Sequence, residues 1–134
     1  MEFSTEQERL VQMIFQNGDS ETLFVTPQGP DSYRMECTSI IGEATYHDII
    51  EAELQTDGTL RFIRLLMPSG LKTVSCILSH SRIESPKLTL FLNKVAAVGG
   101  YWEKLFGGGL ILNLPPAEHD RMIGEFESLF SEER

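Results

Sequence analysis

Long apolar runs are missing from this chain of 134 residues. None approaches the 18 or more residues that a membrane-crossing helix needs. Cysteine is scarce: Cys37 and Cys76 are the two present. A small secreted scaffold carries more, so two reduced thiols and a cytoplasmic location are expected. The opening residues, Met1 to Glu6, contain no basic segment leading into an apolar stretch, so no signal peptide is expected. Basic charge is also in short supply. Eleven Lys and Arg stand against twenty Asp and Glu, a net charge of -9. A field of that sign repels phosphate backbones and anionic lipid, so neither nucleic acid nor membrane is expected as a partner. It suits a basic protein partner.

Catalytic spacing is absent as well. The histidines His47, His80 and His119 show no H-x-x-x-H pattern, and the cysteines no C-x-x-C, so no metal and no cofactor is expected. Cys76 shares a strand face with Val74 and Leu78, the face a core takes, and a buried thiol is inert. The glycine run Gly107-Gly108-Gly109 lies between two strand-like segments. A phosphate loop instead feeds a helix N-terminus, so a hairpin turn is expected here. Tyr101, Trp102 and Phe106, beside Lys104, fit either an interface or a core, and core is favoured for Trp102.

What the chain does have is 41% hydrophobic residues, enough for a core, in a length typical of one domain. Strands are expected at 9–16 (where a helix also fits the pattern), 21–26, 32–37, 48–54, 59–67 and 71–78. Turns separate them at Asn17-Gly18-Asp19, Pro27-Gln28-Gly29-Pro30-Asp31, Asp57-Gly58 and Pro68-Ser69-Gly70. The period then changes. Leu88, Phe91, Leu92, Val95 and Val98 follow helical spacing, with Ser85 as cap and Pro86 at the first helical position. Strands at 101–106 and 110–114 precede a last helix over about 117–130.

Counting the strand at 71–78, the later elements run strand, helix, strand, strand, helix, the ferredoxin-like order without its last strand. The expected fold is α+β in one domain, 1–134. A β-rich half at 1–80 either curls into a small barrel or extends the sheet. A ferredoxin-like half at 81–134 places two helices on one sheet face.

The segments Glu21–Pro27, Tyr33-Arg34-Met35-Glu36, His47–Glu53, Asp57-Gly58 and Ser69-Gly70 resemble a family of small bacterial proteins, the domain of unknown function numbered four thousand two hundred sixty-five. Val98-Gly99, the Gly107 turn and Leu112–Pro116 are similar to it too, so the likeness covers about residues 20–130. The family pattern commonly has a Pro-Phe pair where this chain has Ser39-Ile40-Ile41, and a Gly before the Asp where it has Tyr46-His47. The resemblance implies a bacterial, cytosolic, single-domain protein and names no functional residue.

Two functions follow as expectations. The first is a protein-binding module without catalysis, in its sharpest form an immunity protein that neutralises a basic toxin or effector. Residues 36–57 hold six acids and no base, so the expected contacts are Glu43, Asp48, Glu51, Glu53 and Asp57. The second is a small-ligand sensor or minor enzyme with a site between the two halves.

Overall fold

In the first part of the chain, two turns of the same chemistry set the strand lengths. At Asn17-Gly18-Asp19, Gly18 N donates to Phe15 O at 2.9 Å and Asp19 N to the Asn17 side chain at 2.9 Å. At Asp57-Gly58-Thr59, Gly58 N donates to Gln55 O at 3.0 Å and Thr59 N to Asp57 Oδ1 at 3.0 Å. Each glycine sits at a φ near +90°, which a side chain would strain. The computed structural model describes residues 7–42 and 44–131, and the chain divides into two compact units between Ser69 and Gly70.

The first unit is a closed barrel of β1 (Arg9–Ile14), β2 (Ser20–Gly29), β3 (Ser32–Met35), β4 (Ile49–Leu54) and β5 (Leu60–Met67). Neighbours run antiparallel, and the parallel pair β1–β5 closes the ring through Met13 opposite Leu60. Alternate residues point inward and form the core: Met13, Leu23, Val25, Met35, Ile50, Ala52 and Leu60, with Phe15 and Ala44. Of the two arrangements expected for the β-rich half, the barrel is the one present, and 9–16 holds a strand. Pro27 was expected to end β2 and does not. The strand continues to Gly29, and the register shifts between Pro27 and Gly29, a bulge that accommodates a residue with no N–H to donate.

The second unit is a three-stranded antiparallel sheet in the order β6 (Lys72–Ile77), β8 (Gly109–Leu114), β7 (Tyr101–Leu105). It carries α1 (His80–Ile83), α2 (Pro86–Ala97) and α3 (Pro116–Ser128). Ser85 caps α2 by accepting from Lys87 N at 3.1 Å, and Pro86 occupies its first turn. Leu110, Leu112 and Leu114 share one face of β8 and pack with Leu88, Phe91, Leu92 and Val95 of α2 and Met122 of α3. Trp102 and Cys76 lie half-buried against this core, as expected for both. Phe106 does not join it; the ring stands fully exposed at the hairpin tip.

Two features differ from the expectations. The single turn α1 escaped them, because four residues carry too little periodicity to show; Ser79 caps it by accepting from Arg82 N. The strand at 71–78 belongs with the helices, so the division lies after Ser69 and not at 80/81. The structure is therefore α+β, a five-stranded β-rich unit followed by a smaller sheet with helices.

Candidate functional site

Two acids of the stretch, Glu51 and Glu53, meet arginines across the β4–β5 pair. Glu51 faces Arg64 and Glu53 faces Arg61 in the β4–β5 register. Arg64 Nε donates to Glu51 Oε1 at 2.7 Å, and the Arg61 guanidinium donates to Glu53. The Arg61 hydrogen bond, and then its charge, hold the Glu53 carboxyl below the usual range. A depressed folded-state value means the pair adds stability above the unfolded pKa, and that this is lost as pH falls through the lower folded value. The pair is exposed and salt-screened, so the effect is small. Asp57 is exposed at the hairpin, its carboxyl lowered by hydrogen bonds from the Thr59 hydroxyl and amide.

Asp48 is not a surface contact. It is 4% exposed. One carboxylate oxygen accepts from Thr45 N at 2.8 Å and the other from Ser69 N at 2.7 Å. Those part-buried donors engage both oxygens of a buried side chain, so it is not offered to a partner. Glu43 lies outside the described residues. Of the four expected contacts among the described residues, then, Asp57 alone stands exposed with no basic partner. A run of acids in sequence did not become an acidic face, because β5 returned two arginines to it.

β5 also carries the least expected surface. Ile49 pairs with Met67 and Ile50 with Leu65, which leaves Leu66 as an extra residue; Ile63 is extra between Arg64 and Phe62 in the same way. These two bulges break the alternation that would send every second side chain inward. Leu65, Leu66 and Met67 are consequently all exposed. Three consecutive exposed apolar residues on a strand are unfavourable in water without a covering partner. Nothing in the sequence marks the bulges, since TLRFIRLLM reads as an ordinary strand.

A second constellation was not foreseen either. Glu36, its side chain 10% exposed, accepts from the Thr26 hydroxyl at 2.7 Å and from Arg34 Nε at 2.7 Å. His47 Nε2 lies 3.4 Å from its other oxygen, and the His47 ring stacks on Tyr46 at 3.9 Å. His47 has φ +70°, the left-handed region that favours glycine. His47→Ala is expected to lose about 1–2 kcal/mol by removing the imidazole contacts while keeping the strained Cβ. His47→Gly should be more stable than the alanine variant by about 1 kcal/mol. Urea denaturation of the two variants checks this, and an alanine variant as stable as the glycine one would refute the strain.

In the second unit, a pocket of about 600 Å³ is lined by Leu78, His80, Ile83, Glu84, Lys104 and the Leu105–Gly108 turn. Lys104 Nζ donates to Ile83 O at 3.1 Å across it. Elsewhere in this unit His119 pairs with Asp120, and Glu118 with Arg121. Burial pushes the Cys76 thiol upward, away from thiolate chemistry. Among the described residues no three His, Cys, Asp or Glu side chains gather to hold a metal ion.

The fold has a solved counterpart. A hypothetical protein from Neisseria gonorrhoeae, described as a novel crystal structure, matches with a TM-score of 0.59 over 98% of this chain and 90% of its own, at 17% identity. The likeness shows a shared fold. No family model matches the chain, and no curated protein is similar to it. Among the described residues no helix is long and apolar enough to cross a membrane.

Proposed function

We propose that this chain is a non-enzymatic protein-binding module, of the immunity type that neutralises a basic toxin or effector in the cytoplasm. The observation that carries the reading is the barrel unit. It holds twelve of the acidic residues and four of the basic ones, a net of -8, so nearly the whole charge of -9 sits in the unit that also exposes Leu65, Leu66 and Met67. Long-range charge steers a basic partner, and apolar side chains at the contact hold it. Glu51 and Glu53 contribute less than their number suggests, because each is neutralised by an arginine. Asp57 remains a contact.

The test is affinity for a basic protein partner identified by capture, measured with and without salt. Leu66→Asp is expected to weaken binding by about 2 kcal/mol or more, roughly 30-fold, at every ionic strength. Added salt should slow association of the parent protein. Unchanged affinity in Leu66→Asp, with the fold intact by circular dichroism, would remove the apolar contact from the proposal.

We also read the second unit as a ferredoxin-like split βαβ. Its support is the order β6-β8-β7 with both pairs antiparallel and a helical crossover between β6 and β7. Kinship with the domain-of-unknown-function family remains a proposal supported by the motifs quoted for it. A small-ligand sensor is the second reading, and the pocket beneath Phe106 favours it. Its volume is within the range of small-molecule sites, and apolar walls carry one imidazole, one carboxylate and one ammonium. A small molecule that co-purifies and is released by Phe106→Ala or Lys104→Ala would support that reading over the first.

A further inference from the structure

Closure removes every edge from the barrel, whereas the three-stranded sheet has two, β6 and β7. β7 is half-buried along most of its length. β6 is not: Lys72, Thr73, Ser75 and Ile77 are exposed, and Ile77 is 81% exposed. The strand pairs with β8 in unbroken register from Lys72 to Ile77, so it has no bulge, and it contains no proline. Half of the backbone N–H and C=O groups of such a strand point away from its one neighbour. Proteins that keep an edge solitary blunt it with bulges, prolines or inward charges. β6 has none of these, and its one lysine stands at the end.

We propose that β6 pairs antiparallel with β6 of a second copy of this chain, joining two three-stranded sheets into one of six strands. Charge decides for a second copy. The unit that owns β6 has eight acidic and seven basic residues, a net of -1, so two chains of -9 meet through their least charged unit. The sequence of β6 is also self-complementary. A two-fold axis at Ser75 sets Ser75 opposite its own copy, Val74 opposite Cys76, and Thr73 opposite Ile77. No like charges face each other, and each exposed Ile77 side chain gains the methyl of a threonine. One strand pair buries little area for a dimer, so the association is weak, with a Kd on the order of 10–100 μM.

Sedimentation of the full chain from about 1 to about 500 μM tests this. The expected result is a mass that rises from monomer toward dimer across that range. A constant monomer mass would overturn the proposal. Ser75 is exposed, so Ser75→Lys should leave the fold intact by circular dichroism. It should raise the dimer Kd by about tenfold or more, since two ammonium groups then face each other. A dimer that Ser75→Lys does not weaken is formed elsewhere, and that too would overturn the proposal. The register has its own readout. With Cys37→Ser and Cys76→Ser in place, Ser75→Cys should give a disulfide-linked dimer on mild oxidation, because the two Cβ atoms face each other. Ile77→Cys should not, since its own copy lies four residues along the strand. Equal cross-linking of the two variants would reject the Ser75 axis. These outcomes are independent of whether a basic partner binds the barrel.

Discussion

Gly108→Ala is expected to destabilise the second unit by about 3 kcal/mol or more, and to lower its melting temperature by roughly 12–24 °C. Two costs combine at this position. The backbone lies at φ +87°, where a Cβ costs about 1–2 kcal/mol. A Cβ there would also stand 2.3 Å from Leu78 O. That oxygen belongs to backbone whose own N–H is committed, because Leu78 N donates to Gly108 O at 2.9 Å. The neighbour therefore cannot rotate aside as a long side chain would, and the hairpin must separate from the chain after β6. Gly107 is the control. It has φ +84°, but a methyl group added there would meet nothing within 4 Å, so Gly107→Ala should cost only the backbone penalty, about 1–2 kcal/mol. Thermal unfolding of both variants separates the terms. Equal losses would show that the approach to Leu78 carries no weight.

That contrast also marks how far the sequence could be read. Three consecutive glycines between strand-like segments identified a turn, and the turn is there. Which glycine is indispensable was invisible, because it depends on Leu78, thirty residues away in sequence. The same division runs through the whole fold. Local signals located the strands, the Ser85-Pro86 helix start and both Gly-centred barrel turns, since these depend on residues a few positions apart. The bulges of β5 were not legible, because TLRFIRLLM contains no glycine or proline to mark them. Their consequence, the exposed Leu65–Met67 run, was therefore missed. The acidic stretch failed for a related reason. Charge counted along the chain says nothing about what a neighbouring strand brings alongside, and here it brings Arg61 and Arg64. Glu36 and His47, eleven positions apart, meet where His47 takes a left-handed backbone turn and its N–H donates to Met35 O at 2.7 Å. No pattern in the sequence announces that for a histidine.

Asp48→Ala is expected to cost the barrel unit about 3–4 kcal/mol. The carboxylate joins two distant points. Through Thr45 N and Oγ1 it fixes the loop before β4, and through Ser69 N it fixes the chain just after β5. Hydrogen bonds to a charged acceptor contribute about 1.5–3 kcal/mol each, and a buried N–H left without a partner costs about 1–3 kcal/mol. The terms overlap, so their sum is an upper bound. Asp48→Asn should lose roughly half as much, because its amide oxygen can serve one backbone N–H while its NH2 group confronts the other donors. Urea denaturation gives the two losses. Hydrogen exchange at the Thr45 and Ser69 amides gives their location, and both amides should exchange faster in Asp48→Ala. Unchanged protection at Ser69 would disprove the staple. The variant also separates structure from recognition. Asp48 is 4% exposed and both its carboxylate oxygens are engaged, so binding of a basic partner, expressed per folded molecule, should be the same in Asp48→Asn as in the parent. Leu66→Asp should behave in the opposite way, folding as well as the parent while binding poorly. If Asp48→Asn instead lost affinity per folded molecule while Leu66→Asp kept it, the contact surface would be the loop that Asp48 holds, and the exposed strand end would be a bystander.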